Sequence, residues 1–214
     1  MSLVKYPRTY HFSYSPGVKN DDRIVEDDNM FDGQKVVATI KMDGENTSIY
    51  SDHIHARSLD SGRHPSRNYV KKLQGEIGYK IPKGWRFCGE NLFAKHSIHY
   101  KHLPDYFMLF SIWDENNVCL SWDDTALFAQ ELSLHVVPLI YRGIFDKEKI
   151  LGAFKTYEET SDDDVEGFVV RTVEEFPYPT EEFLNRVAKY VRSGHVQTDK
   201  MWMYQPVIPN ELNI

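Results

Sequence analysis

The sequence predicts an α+β fold in which antiparallel sheets are flanked by helices. Segments rich in β-branched and aromatic residues dominate the chain. The helical segments fall between them at irregular intervals, without the strict strand–helix alternation of a parallel sheet. No internal repeat and no long Pro/Gly/Ser-rich linker divides the 214 residues, so we expect a single domain over residues 1–214.

The first predicted strands surround residue 41. KVVATI, from Lys35 to Ile40, has strand character, Asp43-Gly44 is typical of a tight turn, and residues 47–50 resume the strand pattern. We therefore predict a hairpin over residues 35–51. Apolar spacing then predicts a strand at 53–58, a helix at 68–79 and a strand at 85–93.

The second half continues the mixture of strands and helices. YFMLFSIWDENNVCLSW predicts a second hairpin with its turn at residues 114–117. Asp123-Asp124-Thr125 is a capping sequence for a helix that reaches about Leu134, and KEKILGAF predicts another helix. VEGFVVRTV, which is rich in valine, predicts a further strand.

Composition excludes several classes of protein. A hydrophobic fraction of 41% argues against disorder, and a net charge of -7 argues against coating of nucleic acid through bulk positive charge. Cys88 and Cys119 lack CxxC spacing, which argues against a disulfide framework and indicates a reducing, cytoplasmic setting. The sequence has no apolar run of the roughly 18 residues that a membrane span needs, so we expect no membrane partner.

The stretch KMDG places Lys41 where a predicted strand meets a turn. A lysine nucleophile must be held rigidly beside a phosphate, with its pKa depressed by burial, a neighbouring cation or a metal, because the ammonium form has no lone pair. A strand end supplies the rigidity, and Gly44 after Asp43 lets the backbone come close to a ligand. An isolated KxDG is also compatible with a surface lysine before a turn.

Five further stretches follow KMDG in a fixed order: ARSLDSGR, FCGEN, FMLFSIWD, VEGFVVR and VAKYVR. In this order they resemble the motifs of covalent nucleotidyltransferases, the superfamily of polynucleotide ligases and capping enzymes, and most closely those of the RNA ligase family typified by RNA ligase 2. The resemblance extends from about Lys41 to about Arg192. It implies a nucleotidyltransferase (ATP-grasp-like) domain that uses ATP.

The resemblance also implies roles for residues on the nucleotide side. Lys41 would attack the α-phosphate of ATP and carry AMP as a phosphoramidate. Arg57 would hold the ribose and phosphate side, Glu90 would accept a ribose hydroxyl, and Phe110 would stack on adenine. Without the resemblance, the alternatives are a surface strand arginine, a solvated strand-end acid and an aromatic core residue. Ile40 stands where some relatives have a polar residue that reads the adenine edge.

The later motifs imply a metal and phosphate contacts. Glu166 resembles the family carboxylate that binds Mg²⁺ or Mn²⁺, a preference expected of hard oxygen ligands. Arg171 stands where the family more often has a lysine, and either cation suits a nucleotide phosphate. Lys189 resembles the basic residue that grips the α-phosphate. The family usually has a second lysine two positions later, so the second cation here is Arg192 or Arg186.

These implications favour an ATP-dependent RNA ligase, or its adenylyltransferase core, acting on RNA ends or a nicked duplex. The alternatives are a capping-type guanylyltransferase or DNA ligase, which share the lysine chemistry, and a non-catalytic nucleotide- or RNA-binding module. Ligases of this family commonly carry an extra C-terminal domain, and no separate C-terminal nucleic-acid-binding domain is apparent after Arg192. The alternatives are a minimal ligase, a subunit that needs a partner and a protein with a missing domain. We expect poor sealing, with normal self-adenylylation, by the isolated chain.

Two other patterns suggest contacts with metal or RNA. His53 and His55 alternate on a predicted strand, and KHSIHYKH spaces three histidines at 96, 99 and 102, which makes a zinc site the minor alternative to a basic loop beside the nucleotide. Trp202 and Tyr204 offer rings for stacking on RNA bases, although aromatic residues near a chain end more often pack the tail onto its domain.

Overall fold

The computed structural model describes residues 3–59, 62–178, 180–194 and 206–213. Its strands form two sheets with helices outside them, so the predicted α+β class is confirmed. The first sheet, called sheet A here, has the strand order β1-β12-β10-β2-β9. Its strands are β1 (Tyr10–His11), β2 (Lys35–Lys41), β9 (Leu139–Ile144), β10 (Gly167–Thr172) and β12 (Val187–Val191).

Sheet B has the order β11-β7-β6-β5-β3-β4, with β8 added beside β6. Its strands are β3 (Glu45–Ile49), β4 (Ile54–Ala56), β5 (Arg86–Asn91), β6 (Phe107–Trp113), β7 (Val118–Cys119), β8 (His135–Val136) and β11 (Phe176–Pro177). Most pairings are antiparallel, as predicted. Two short pairings are parallel, β1 with β12 and β6 with β8.

Six helices complete the described elements. Four are α-helices, namely α1 (Asn68–Ile77), α2 (Trp122–Glu131), α3 (Lys147–Thr160) and α4 (Thr180–Leu184), and two are short 3-10 helices at Pro65–Arg67 and Gly78–Lys80. Helix α2 begins earlier than predicted because the Ser121 hydroxyl, rather than Asp123 or Asp124, accepts the free backbone N–H at its N-terminus. Helix α3 extends well beyond KEKILGAF, and Asp146 caps it by accepting the Lys149 N–H. No helix in the described part of the chain has both the length and the apolar character needed to cross a membrane.

The predicted hairpin at residues 35–51 is wrong in its pairing. Strand β2 lies in sheet A, between β10 and β9, whereas β3 lies in sheet B, between β4 and β5. Residues 42–44 therefore carry the chain from one sheet to the other. Gly44 does not adopt a left-handed conformation. A Cβ there would lie 2.5 Å from the Asn91 carbonyl oxygen, so glycine is needed for a close approach to β5.

The predicted hairpin at residues 107–119 is confirmed. Strands β6 and β7 pair antiparallel through Trp113 and Cys119. The Asn117 N–H closes the turn on the Asp114 carbonyl at 3.1 Å, and Asn117 takes the positive φ of 65° that asparagine tolerates. Cys119 and Cys88 are both buried free thiols.

The N-terminal residues connect the two sheets. The ring of Tyr6 packs edge-on against Phe110 of β6 with the centroids 5.2 Å apart. A few residues later, β1 pairs with β12 of sheet A. We call residues 6–22 the N-terminal arm. The arm spans from an aromatic cluster on sheet B to the edge of sheet A, beside the cavity described next.

Candidate active site

A cavity of about 510 Å³ is lined by strands of both sheets. It brings together seven of the residues that the sequence predicted for the site: Ile40, Lys41, Arg57, Glu90, Phe110, Arg171 and Lys189. They come from six separate stretches of the chain. The crossing between the sheets at residues 42–44 is what places Lys41, the last residue of β2, at this cavity.

Lys41 forms a close ion pair with Glu166. The Nζ of Lys41 donates to Oε2 of Glu166 at 2.5 Å, and the glutamate side chain is only 3% exposed. Sheet register fixes this contact, because Gly167 of β10 lies directly opposite Lys41. Gly167 must be glycine, since a Cβ would lie 1.9 Å from the Tyr190 carbonyl oxygen of β12.

The Lys41 ammonium is stabilised in this arrangement. Burial lowers the pKa of Lys41, but the negative charges of Glu166, Glu90 and Asp43 raise it, and the carboxylates together prevail. The pKa of Lys41 thus lies above its usual value. This differs from the depressed pKa that the sequence led us to expect, because the charges of the acids beside the amine outweigh its burial.

Glu90 is a second carboxylate beside Lys41, and its residue is partly buried. Burial raises the pKa of Glu90 to about 8, Lys41 opposes this rise, and the nearby negative charges of Glu166 and Asp43 add to it. Glu90 stands near the end of β5 and lines the cavity directly. The Glu90 side chain at the cavity surface can accept a hydrogen bond from a ligand hydroxyl.

Lys189 lies on β12, at the part of the cavity lined by the N-terminal arm. Asp22 Oδ1 lies 4.0 Å from its Nζ. Burial lowers the pKa of Lys189 to about 8, and the positive charge of Lys41 lowers it further, against the opposing effect of Asp22.

Three predicted residues line the cavity while also bonding to the protein. Arg57 Nε donates to the Tyr6 carbonyl at 3.2 Å. Phe110 is partly exposed and packs edge-on against Tyr6, so its ring combines core packing with access to the cavity. Arg171 donates through Nη2 to the Leu120 carbonyl at 2.7 Å and through Nε to the Thr172 carbonyl at 3.1 Å, which commits much of its guanidinium to the fold.

Three predicted nucleotide contacts do not line the cavity. Asp43 Oδ2 accepts the backbone N–H groups of residues 97 and 98, both at 2.7 Å. Gly44 faces strand β5. Arg192 follows the end of β12 and donates to the Val165 carbonyl at 2.6 Å. Arg186, the alternative second cation, donates to Gln34 at 3.1 Å and also lies off the cavity.

Sequence reasoning missed the contribution of the N-terminal arm. Tyr6, Pro7, Arg8, Thr9 and Asp22 line the cavity. None of them belongs to a motif, and only the three-dimensional pairing of β1 with β12 brings them there. Asn46 was also missed. Its Oδ1 is buried beside the cavity and has no hydrogen-bond partner among the described residues, which leaves an acceptor free for a ligand.

The histidines of the zinc alternative bond to separate groups. His55 Nδ1 lies 2.8 Å from the Ala56 carbonyl, His99 Nε2 lies 3.2 Å from the Pro209 carbonyl, and His102 Nδ1 lies 3.5 Å from Asp163. Within the described ranges, no three His, Cys, Asp or Glu side chains are grouped to hold a metal ion. Trp202 and Tyr204 lie outside the described residues.

The fold of this chain is similar to that of several solved RNA and DNA ligases. An archaeal ATP-dependent RNA ligase matches with a TM-score of 0.58 and 15% identity over 89% of this chain and 49% of its own. A putative ATP-dependent DNA ligase from Aquifex aeolicus matches with a TM-score of 0.56 and 18% identity over 89% and 50%. A mutant Naegleria gruberi RNA ligase with ATP and Mn matches with a TM-score of 0.53 and 15% identity over 76% and 51%.

The sequence itself identifies the family. The model of the RNA ligase family matches residues 34–191, so the chain belongs to the RNA ligase family and the predicted resemblance is confirmed. No curated protein matches the sequence. The chain spans about half the length of each of the three ligases named above.

Proposed function

We propose that this chain is an ATP-dependent RNA ligase, or the adenylyltransferase core of one. The observation that carries the proposal is the position of Lys41. Its amine lies at a cavity lined by both sheets, 2.5 Å from a buried glutamate and beside a second glutamate, Glu90. Membership of the RNA ligase family supports nucleotidyl transfer as the reaction. The cavity supports it because Lys41, a candidate nucleophile, is held at its surface.

The first step is nucleotidyl transfer to Lys41. After loss of one proton, the lone pair of Nζ attacks the α-phosphorus of ATP and forms an N–P bond. The bond from that phosphorus to the oxygen bridging the β-phosphorus breaks, and its electron pair leaves with pyrophosphate. Because the Lys41 ammonium is paired with Glu166 and its pKa is raised, this ion pair must be broken and the proton lost before the amine can attack.

Nucleotide binding is assigned to the remaining residues of the cavity. Glu90 suits a ribose hydroxyl, because its carboxyl group is buried at the cavity surface. The exposed part of Phe110 provides a ring for adenine. Arg57 and Lys189 provide cations for ribose and phosphate oxygens, and catalysis then depends on positioning and charge stabilisation.

A divalent cation fits the donor set beside Lys41. Glu166 is a buried carboxylate and Glu90 a partly buried one, and Mg²⁺ and Mn²⁺ prefer such oxygen ligands, usually one or two carboxylates together with water and substrate phosphates. Glu166 is the residue we expect to hold the ion. When bound, the ion supplies positive charge that neutralises phosphate oxygens and the acids around the amine. The ion would then offset the negative charge of Glu166, which otherwise raises the pKa of Lys41, and the pKa of Lys41 would fall.

The later steps join RNA ends. AMP passes from Lys41 to a 5′-phosphate of RNA, and a 3′-hydroxyl then attacks that activated phosphate and releases AMP. The substrate is an RNA end or a nicked duplex, as the family implies. We propose that a partner subunit or an additional domain assists the engagement of RNA.

The test is a labelling experiment. Protein mixed with ATP labelled on its α-phosphate should form an acid-labile adduct that maps to Lys41. Lys41→Ala should form none. Lys35→Ala is the matched control, since Lys35 is an exposed lysine at the other end of the same strand, and it should label like the unmodified chain. An adduct that survives Lys41→Ala, or no adduct at all, contradicts the proposal.

Parallel reactions separate the alternatives. Labelling by GTP in preference to ATP would indicate a capping-type guanylyltransferase, and joining of DNA but not RNA ends would indicate a DNA ligase. Reversible ATP binding without an adduct would indicate a non-catalytic binding module. We expect ATP to be the only one of the four ribonucleoside triphosphates that labels the chain efficiently.

A further inference from the structure

We propose that Arg8, in the N-terminal arm, is a binding residue for the phosphates that leave as pyrophosphate. The arm lies outside residues 34–191, the part of the chain that the family model matches. The inference rests on the proposed function, because it assigns Arg8 to one step of that reaction, the transfer of AMP from ATP to Lys41.

Contacts at both ends of the N-terminal arm hold it beside the cavity. Tyr6 is buried and packs against rings of sheet B and α4, with its centroid 5.2 Å from that of Phe110 and 5.6 Å from that of Phe183. At the other end, His11 pairs with Lys189 across β1 and β12. Arg8 lies between these two anchors, so its backbone is held beside the cavity.

Arg8 and Lys189 share one counter-charge. Arg8 Nη2 lies 3.7 Å from Asp22 Oδ1, and Lys189 Nζ lies 4.0 Å from the same oxygen. The two cations are therefore close neighbours, held apart by a single carboxylate. Arg8 Nη2 also donates to the Asp21 carbonyl at 2.6 Å. A polyphosphate oxygen that enters the cavity beside these two cations can accept charge-assisted hydrogen bonds from their other N–H groups.

The charge of the cavity favours a polyanion. Among the described residues that line it, five are cationic (Arg8, Lys41, Arg57, Arg171 and Lys189) and two are acidic (Asp22 and Glu90). This excess contrasts with the net charge of -7 for the whole chain. Positive charge is thus concentrated at the cavity, where it attracts a nucleotide triphosphate from solution.

The exposure of Arg8 indicates that it contacts the leaving phosphates rather than the α-phosphate. Its side chain is 44% exposed, against 27% for Lys41 and 18% for Lys189, so it lies at the outer part of the cavity. In an in-line displacement the leaving oxygen departs from the side of phosphorus opposite the attacking amine. The β- and γ-phosphates therefore extend away from Lys41, and Arg8 is the cation of the arm that can meet them.

The test compares nucleotides that have and lack these phosphates. In a Lys41→Ala background, where no adduct can form, adding Arg8→Ala should weaken ATP binding by roughly 10- to 100-fold and leave AMP binding unchanged. With Lys41 intact, the pyrophosphate concentration that reverses the adduct to ATP should rise by a similar factor. Arg8→Lys should recover part of both effects, and Arg23→Ala, an exposed arginine of the adjoining segment, is the matched control.

Each outcome is decisive. Equal loss of ATP and AMP binding, or a urea midpoint lowered in proportion to the loss of binding, means that Arg8 only holds the arm in place and overturns the inference. Unchanged ATP binding and unchanged pyrophosphate dependence also overturn it. If ATP binding depends on Arg8 but Lys41 is never labelled, the phosphate-binding role of Arg8 stands and the proposed function is contradicted.

Discussion

The cavity is lined by two partly buried lysines whose pKa values move in opposite directions. The pKa of Lys41 is raised, whereas the pKa of Lys189 falls to about 8. Both are penalised by burial, and the difference lies in their partners. Glu166 is 2.5 Å from the Lys41 amine, while Asp22 is 4.0 Å from the Lys189 amine and is shared with Arg8. A close buried acid preserves a lysine's charge, and a distant shared one does not.

The largest effect should come from removing the close acid. Glu166→Gln takes away the charge that holds Lys41 and the carboxylate assigned to the metal. We expect adduct formation from ATP to fall by roughly 10³-fold, because a residue that organises developing charge next to the nucleophile is lost. The measurement is the rate of Lys41 labelling at saturating ATP.

Glu158→Gln is the control for that change. Glu158 is 42% exposed, lies 3.6 Å from Arg192 and does not line the cavity. Its replacement should alter labelling by less than about twofold, since exposed ion pairs contribute little. Equal rates for Glu166→Gln and Glu158→Gln would show that the short Lys41–Glu166 contact has no part in the reaction.

A smaller effect should follow from removing the other lysine. Lys189→Met keeps the length of the buried side chain and deletes its charge, so one phosphate contact is lost while Lys41 and Glu166 stay in place. We expect labelling to fall by roughly 10²-fold. Lys155→Met, at a lysine of α3 that is 75% exposed, should label normally. A normal labelling rate for Lys189→Met would refute a role for Lys189 in binding phosphate.

The smallest effect concerns folding stability and pH. The pKa of Lys189 is about 8 in the folded chain and near 10.5 in the unfolded one, so the unfolded state binds more protons between these values. The free energy of unfolding should therefore rise with pH from 8 to 10.5, by about 2 kcal/mol once the partial exposure of the amine is allowed for.

Urea unfolding of the unmodified chain and of Lys189→Met, measured across this pH range, isolates the contribution of one amine. The difference in unfolding free energy between the two proteins should grow in favour of the unmodified chain as the pH rises. A difference that stays constant would mean that Lys189 keeps an ordinary pKa, and the contrast with Lys41 would disappear.

Much of the site was predictable because its residues follow recognisable motifs in order. Lys41, Glu90 and Lys189 line one cavity, and Glu166 contacts Lys41 there, although the local sequence around each of them is unremarkable for a strand. The strand segments were also predictable, since β-branched and aromatic residues mark them. Their pairing was not. Asp43-Gly44 has the composition of a hairpin turn, yet the Asp43 carboxylate bonds to backbone groups 54 and 55 residues away, and the chain changes sheets.

The remaining differences come from contacts between distant segments. Arg192 was a candidate phosphate ligand because of its spacing from Lys189, but β12 ends at Val191 and the guanidinium turns towards Val165 and Glu158. Arg8 and Asp22 carry no motif, and they reach the cavity only because β1 pairs with a strand almost 180 residues later. Patterns within a short window contain no information about such pairings.

The place of β2 in sheet A has a consequence for the synthesis of the chain. Lys41 lies opposite Gly167, and β10 is held in turn by β12, which ends at Val191. Glu166, the acid partner of the proposed nucleophile Lys41, is 125 residues downstream. A nascent chain on the ribosome thus cannot assemble this cavity until β12 has emerged, and topologies of such long sequence separation fold slowly. Ribosome-bound fragments that stop before β10 should expose the apolar face of β2 to chaperones.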